Sequence, residues 1–423
     1  MVDRWRVLAA ALATRSRRFG TRAQLERHQQ RRLQHVLNRA RRVYPFYAAA
    51  GTSLADFPVL DKATWLRHFD GLNDRGLDLA QCLAAARAAE ADRSFEATLK
   101  GVSIGLSSGT SGQQGVFLTT PAEQARWAGV MLAKALPSLR EPARVALVLR
   151  SGGPLYQAVH GGRITFCYVD LALPPDAIAE RLQAFAPTVL AAPPQVLDDL
   201  AARRSSVSRP DLAPHTIYSI ADVLDDDVAA RVASGFGCPA RQIYQATEGF
   251  LGISCEHGTL HLNEDLVHVE REVIDQSSGR FTPVITDLYR TTQAIIRYRL
   301  NDVLLPGVPD CPCGSAFATV ARVEGRADDV LWLPDQAGAT RPLFADFVRN
   351  AVLAAPGVHD FRLVQRLDGS LGLAVRPSNA QASAHRALQR LLRSRGFAEP
   401  AISGRPWPVE SSIDKRRRVR RER

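Results

Sequence analysis

Four short stretches of this 423-residue chain carry side chains whose types and spacing suit the handling of anions and hydroxyls. Ser107-Ser108-Gly109-Thr110-Ser111-Gly112 combines small residues, which leave backbone N–H groups free to converge on an anion, with hydroxyls that add donors. It suits a polyphosphate but lacks the Gly-Lys-[Ser/Thr] ending of a Walker A loop. Tyr244-Gln245-Ala246-Thr247-Glu248-Gly249 follows a predicted strand, where a Tyr can stack on a base and a Glu can hold Mg²⁺ through hard oxygen ligands. Ile296-Arg297-Tyr298-Arg299-Leu300-Asn301-Asp302 ends in an Asp able to accept two hydrogen bonds from vicinal hydroxyls, as on a ribose. Gly325-Arg326-Ala327-Asp328-Asp329 falls where the chain divides into two domains. Each also has a plainer reading: a surface loop, a turn with an exposed Glu, a salt-bridged edge strand, a polar linker. A fifth constellation, Cys255-x5-His261 with Cys311-Pro312-Cys313-Gly314, supplies three Cys and one His, a tetrahedral set for structural Zn²⁺. Free thiols beside a core His account for it equally well.

The elements that must position these residues follow from periodicity. Residues 3–42 read as helical, with Trp5, Leu8, Leu12, Leu25, Leu33, Val36 and Leu37 among Arg and Gln, and Pro45 ends that stretch. Further helices are predicted over Asp61–Phe69 and Ala80–Ala91. Strands at Val145–Arg150, Arg163–Leu171, Thr188–Ala192, Thr216–Ile220 and Gln242–Tyr244 alternate with helices at Pro175–Phe185, Pro194–Arg204 and Asp225–Ser234. That alternation predicts an α/β domain with a largely parallel sheet. Beyond Gly252 the period becomes two, at Leu260–Asn263, Leu266–Val273, Phe281–Thr286 and Ala294–Tyr298, predicting antiparallel structure. A compact α+β unit of about ninety residues follows Gly325, with helices at Phe344–Leu353 and Ala384–Arg395 and strands at Phe361–Val364 and Leu371–Val375.

Charge narrows the function classes. The formal net charge is +11, yet residues 1–45 hold 12 Arg against Asp3 and Glu26, and residues 415–423 hold seven basic residues against Glu422. The body between is slightly acidic, which argues against a nucleic-acid-binding surface. No apolar run reaches the roughly 20 residues of a membrane helix, and Arg15, Arg17 and Arg18 interrupt the only short apolar run near the start. Six Cys in this length form no disulfide framework, so a reducing, cytoplasmic setting is expected. Only Lys62, Lys100, Lys134 and Lys415 are lysines, against 50 Arg.

In this order and spacing the four stretches resemble the ANL superfamily of adenylate-forming enzymes. The resemblance spans residues 40 to 420 and is closer to the phenylacetate–CoA ligase branch and the related deazaflavin-coenzyme (CoF) synthetases. Tyr44-Pro45-Phe46-Tyr47, Phe57-Pro58-Val59-Leu60-Asp61-Lys62, Leu260-His261-Leu262-Asn263-Glu264-Asp265 and the stretch Gly105–Leu136 carry it. It implies a large N-terminal α/β adenylation domain, residues 1–327 with a basic helical extension over 1–45, and a small mobile α+β domain over 328–423. Residues Ser107 to Gly112 would cover the ATP β- and γ-phosphates, with Gly115 where the wider superfamily often has a Lys. Tyr244 would stack on adenine, Thr247 would contact the α-phosphate and Glu248 would bind Mg²⁺. Asp302 would hold the ribose, with Arg326 nearby and Asp328 at the hinge. Leu300-Asn301 replaces the usual Thr-Gly before Asp302.

The basic end then acquires a reading. Lys415, in Asp414-Lys415-Arg416-Arg417-Arg418-Val419, matches the family's catalytic tail Lys, although the Gly before it is missing. An ammonium there offsets charge on the attacking carboxylate and the pentavalent phosphorus. The implied activity is ATP-dependent formation of an acyl-AMP from an organic acid, an aromatic acid by subgroup resemblance. Transfer to the thiol of CoA or of a carrier-protein phosphopantetheine would follow. The alternatives are adenylyl transfer to a deazaflavin-like hydroxyl, or a non-catalytic relative that binds a nucleotide or a carrier protein. The resemblance is compatible with a homodimer. The N-terminal charge has no chemical reading at this level beyond an Arg-coated helix meeting a carrier protein or a membrane surface.

Overall fold

The apolar runs that alternate with helices do form a parallel sheet, and they do so because both of its faces are covered. In the computed structural model, which describes residues 3–92, 94, 96–106, 114–150, 152, 156, 158–206, 212–408 and 418–422, a small antiparallel sheet comes first. It consists of β1 (Thr98–Leu99), β2 (Val102–Leu106) and β3 (Val116–Thr119). The main sheet begins with β4 (Ala143–Leu149), β5 (Ile164–Asp170), β6 (Val189–Ala192), β7 (Thr216–Ser219) and β8 (Ala240–Ala246), paired in parallel in the order β5-β4-β6-β7-β8. Helices Pro175–Phe185, Pro194–Ser206 and Asp226–Phe236 supply the crossovers. Val148, Leu190, Ile217, Leu182 and Val232 form the core on one face.

From β8 the sheet turns antiparallel. β9 (Gly249–Ser254) pairs with β8 and with β10 (Leu260–Leu262). After β11 (Val267–Asp275), β12 (Arg280–Asp287), β13 (Tyr298–Arg299) and β14 (Asp302–Pro306), the strand β15 (Thr319–Arg326) pairs with β10. The segment expected as a strand over Ala294–Tyr298 contributes only β13. Arg297 has φ +47, and the backbone groups flanking Tyr298 bond Leu60 instead of continuing a ladder.

The N-terminal stretch is two helices, Arg4–Ser16 and Arg22–Val43, the second capped by the Thr21 hydroxyl. The first crosses helix Pro121–Ala135 at Gly129, where a Cβ would lie 2.3 Å from the Val7 carbonyl oxygen. Only Gly allows backbones that close. The second is tied down by the Asn263-Glu264-Asp265 run. Glu264 accepts from Arg22 at 2.7 Å, Gln29 donates to the Glu264 carbonyl at 2.8 Å, and His28 lies 3.2 Å from the Asp265 carbonyl. Asp265 also takes Lys134 at 2.9 Å. All three residues of that run are buried, and their work is structural.

Contacts divide the chain into two units. The first holds residues Met1–Arg271, Val284–Leu300 and Pro306–Ala321, and the second Glu272–Pro283, Asn301–Leu305 and Arg322–Arg423. The sequence reading places one boundary after residue 327, whereas β11, β12 and β15 each start in one unit and end in the other. A ladder is continuous in its hydrogen bonds, so the chain passes between units several times, which a linear cut does not show.

The second unit has its own core. After the hairpin β16 (Leu331–Pro334) and β17 (Thr340–Leu343), β18 (Asp360–Gln365) and β19 (Leu371–Arg376) run antiparallel. They are flanked in parallel by β21 (Val419–Arg421) and β20 (Ile402–Gly404). Helices Ala345–Leu353 and Gln381–Ser394 belong to the same core, which packs Val348, Val352, Phe361, Leu373, Leu388 and Leu392. Within this unit Arg280 is buried with full compensation. Its Nε and Nη2 grip Glu324 at 2.7 and 2.8 Å, Nη2 reaches Asp346 at 3.2 Å, and its guanidinium lies over Phe344 and Phe347. Among the described residues no helix is long and apolar enough to cross a membrane.

Candidate active site and metal cluster

The junction between the parallel and antiparallel halves of the sheet builds the first site. β8 and β9 pair down to Ala246 and Gly249, so Thr247 and Glu248 are the two residues of a tight hairpin loop at the carboxyl end of β8. That end is where open α/β sheets bind ligands. The register shifts between Tyr244 and Gln245, a bulge that re-aims the side chains just before the loop. Burial pushes the Glu248 carboxyl above its ordinary value, and a hydrogen bond from the Tyr298 hydroxyl and the charges of Lys62 and Arg290 pull it back. Arg290 also donates from Nη2 to the Thr247 carbonyl at 3.2 Å, while its buried Nη1 has no hydrogen-bond partner. A half-buried carboxyl that takes a phenolic hydrogen bond at a strand end offers oxygen ligands to a hard cation.

Lys62 and Arg290 were given no role from sequence. For Lys62 the signal was the scarcity of lysine, together with its place at the end of Phe57–Lys62. Helix Lys62–Arg67, capped by Asp61, carries it, and its charge acts on Glu248. Arg290 had no signal, because its effect depends on a loop returning from β12. Tyr44 and Tyr47 of the N-terminal signature are core residues: the Tyr44 hydroxyl donates to the Thr291 carbonyl, and the Tyr47 ring is buried.

Asp302, Arg326 and Asp328 lie in the second unit, all half-buried. Asn301 has a definite part there. Its side-chain amide donates to Asp328 Oδ2 at 2.5 Å, and its carbonyl accepts from the Ala327 N–H at 3.1 Å. Gly325 has φ +122, a conformation that side-chain-bearing residues rarely adopt, which allows the chain to turn just before Arg326. The departure from the familiar Thr-Gly thus places an amide on the residue assigned to the hinge. Ser107, Ser108, Gly109, Thr110, Ser111 and Gly112 lie outside the described residues, as does Lys415.

The second constellation does come together. One ligand atom each from Cys255, His261, Cys311 and Cys313 lie within 4.8 Å of one another. Cys255 Sγ is 3.7 Å from Cys311 Sγ, and Cys313 Sγ is 3.4 Å from His261 Nε2. Two thiolates bound tetrahedrally at about 2.3 Å would be separated by roughly 3.8 Å, so the donor set fits Zn²⁺. The surroundings fit as well. His261 Nδ1 faces the Phe317 carbonyl at 3.2 Å, and donation there leaves Nε2 free as a ligand. The Gly258 and Gly314 N–H groups close matching turns on the Cys255 and Cys311 carbonyls, both at 3.0 Å. Hydrogen bonding, first with Thr259, holds the Cys311 thiol down to about 6, whereas burial pushes Cys313 up to about 12. A Zn²⁺ bound here would tie the loop before β15 to the β9–β10 hairpin. Burial raises the thiols of the core residue Cys82 and of the half-buried Cys167 and Cys238.

No protein-family model matches the sequence, and no curated protein matches it. Solved structures do. A 2-hydroxyisobutyryl-CoA ligase in the postadenylation state, in complex with 2-HIB-AMP, is similar at a TM-score of 0.66 and 18% identity, over 95% of this chain and 90% of that one. A fatty acyl-adenylate ligase structure, from a study of the E. coli and L. pneumophila enzymes, is similar at 0.54 and 13%, over 75% and 68%. An anthranilate CoA ligase in complex with anthranoyl-AMP is similar at 0.51 and 13%, over 74% and 66%. The chain shares the fold of these ligase structures.

Proposed function

We propose that this chain is an ATP-dependent ligase that activates an organic acid, with aromatic acids as the favoured class. The observation that carries the reading is Glu248 on a two-residue hairpin loop at the carboxyl end of β8, hydrogen-bonded to Tyr298 and acted on by the charges of Lys62 and Arg290, in a fold shared with adenylate-forming ligases over nearly the whole chain. A carboxylate oxygen of the acid attacks the α-phosphorus of ATP, the bond to the β-phosphate oxygen breaks, and pyrophosphate leaves. The thiol of CoA or of a carrier-protein phosphopantetheine then attacks the acyl carbonyl, the bond to AMP breaks, and the thiol proton passes to solvent. Positioning and electrostatics suffice for the first step, and no protein nucleophile is needed. Tyr244 is assigned to the adenine, Thr247 to the α-phosphate, Glu248 to Mg²⁺, Asp302 to the ribose with Arg326 beside it, and Ser107–Gly112 to the outer phosphates. Asp328 is assigned to the hinge and Lys415 to the developing charge.

The direct test is pyrophosphate exchange into ATP across a panel of acids, with CoA and a carrier protein supplied in parallel. Exchange with at least one acid and a thioester with AMP as products are expected. A stable AMP adduct in place of a thioester would move the reading to hydroxyl adenylation, and silence with every acid would sink it. Glu248→Gln should abolish exchange without unfolding the protein. Lys415→Ala should cripple exchange but leave thioester formation from supplied acyl-AMP; equal loss of both steps removes the tail assignment. We assign the Cys255–His261–Cys311–Cys313 cluster to one structural Zn²⁺. Stoichiometric zinc in the purified protein, lost in Cys311→Ser, is the expected result, and zinc-free folded protein refutes it.

A further inference from the structure

A cavity of about 560 Å³ opens in the first unit between the N-terminal helices and the loop after β12. It is lined by Arg17, His28, Arg31, Arg32, His35, Arg126 and Tyr289, with no carboxylate among them. The arrangement follows from the helix period. His28, Arg31, Arg32 and His35 stand at i, i+3, i+4 and i+7 of helix Arg22–Val43, one face of it. Arg17 comes from the turn between the two N-terminal helices, and Arg126 from helix Pro121–Ala135.

Tyr289 is the floor on which they converge. The Arg126 and Arg32 guanidiniums lie 3.5 and 4.0 Å from its ring centroid, and Arg17 lies 6.0 Å away. Arg17 donates to the Tyr289 hydroxyl at 3.0 Å, and Arg32 donates to the Leu288 carbonyl. None of the four lining Arg has an ion pair among the described residues. The acid that acts on Arg126 is Asp287, whose Oδ1 already takes the N–H groups of Tyr289 and Arg290, both at 2.8 Å. Burial, with Arg17 and Arg32 nearby, lowers the Arg126 pKa despite the ring and Asp287. Converged guanidiniums without a carboxylate are costly to hold together, and an anion is what relieves them. A planar guanidinium fork matches phosphate oxygens, and the volume is that of a small-molecule site.

We propose that this cleft binds a phosphate-bearing small molecule of at least two negative charges. It is independent of the acid-activating reading above and would hold in a chain that activates no acid. The source of the phosphate is either a free inorganic polyphosphate or a phosphate ester of a nucleotide.

Calorimetric titration of the full-length protein with tripolyphosphate and with adenosine 3′,5′-bisphosphate tests this, against sodium sulfate at matched ionic strength. The wild type should show a saturable site for at least one probe in the sulfate background, at least tenfold weaker or missing in the Arg32→Gln/Arg126→Gln double variant. Binding of tripolyphosphate alone identifies the inorganic source, and binding of the bisphosphate alone the ester. Identical isotherms for wild type and double variant would falsify the proposal, as would loss of all binding in sulfate. If the double variant does not fold, Arg31→Gln, on the exposed rim, replaces it with the same expected direction. The thermal midpoint gives a second readout: the bound probe should raise it in the wild type and not in the variant, and equal shifts count against the cleft.

Discussion

Two arginine sites in this chain are opposites. Arg280 is buried in the second unit against Glu324 and Asp346, two aromatic rings completing its surroundings. Arg17, Arg32 and Arg126 meet in the first unit around one ring, with Arg31 lining the same cleft and no carboxylate among the lining residues. Both set guanidinium charge against aromatic rings, and the difference is where the counter-charge comes from. A guanidinium whose carboxylates are supplied by the fold is a structural tie, and removing it leaves buried negative charge behind. A guanidinium cluster without carboxylates needs its negative charge from solvent or from a ligand. Composition counts both kinds equally, which is why a net charge of +11 describes neither.

The contrast can be broken first at its buried end. Arg280→Ala should destabilise the protein by about 3–5 kcal/mol, because Glu324, already raised by burial, and Asp346 lose their cation. Chemical denaturation would measure it, and a loss below about 1 kcal/mol would mean that the tie is not structural. Next in size is Glu123, which pins the Tyr289 segment to the helix carrying Arg126. Its carboxylate accepts from the backbone N–H groups of Thr120, Thr291 and Thr292 at 2.8, 2.8 and 3.0 Å and from the Thr292 hydroxyl at 2.6 Å. Burial pushes this carboxyl up, but those donors overcome it and hold it below the ordinary glutamate value. A depressed acid contributes stability that is present above its unfolded pKa and lost as pH falls through its folded one. Glu123→Gln should cost roughly 1–3 kcal/mol near neutrality, the gap from wild type closing in acid below the ordinary glutamate range. A gap unchanged by acid would contradict the assignment.

Smaller still is Asn301→Ala, which removes the neutral donor on Asp328 and should cost about 0.5–1.5 kcal/mol in the denaturation midpoint. Its more telling readout is the ratio of adenylation to thioester formation, expected to change if Asp328 is a hinge; an unchanged ratio separates the hydrogen bond from the hinge. The smallest effect has the opposite sign. Arg126→Gln should leave stability unchanged or raise it by up to about 1 kcal/mol at low salt, since it relieves repulsion in the cleft. That gain should shrink as salt screens the cluster. A clear loss of stability would make Arg126 a structural residue like Arg280.

Much of the α/β part was legible in the sequence. Helix Pro175–Phe185 falls on its predicted bounds, and the parallel strands lie within a few residues of theirs, because apolar runs bounded by Pro and polar residues are local signals. The strand expected over Ala294–Tyr298 failed because Arg297 adopts a positive φ to meet Leu60, a contact from far along the chain. The hairpin of β16 and β17 and the helix Pro121–Ala135 were not read from periodicity. In the candidate site Tyr244, Thr247 and Glu248 were legible as a motif, whereas Lys62 and Arg290 were not assigned, since nothing local in either says that its charge acts on Glu248.

By itself the sequence determined the order of elements, the motif types and the presence of three Cys and one His with metal-ligand chemistry. Those properties reside in residue type and short spacing. Only the tertiary structure decided that Cys255, His261, Cys311 and Cys313 lie within 4.8 Å of one another, which requires the β9–β10 hairpin and the loop before β15 to meet. It alone decided that Asn263-Glu264-Asp265 docks a helix. The N-terminal arginines were the least interpretable feature of the sequence. Packing helix Arg22–Val43 beside Tyr289 and Arg126 turned four of the chain's arginines into one cleft, because convergence of charge depends on distance through space and not along the chain.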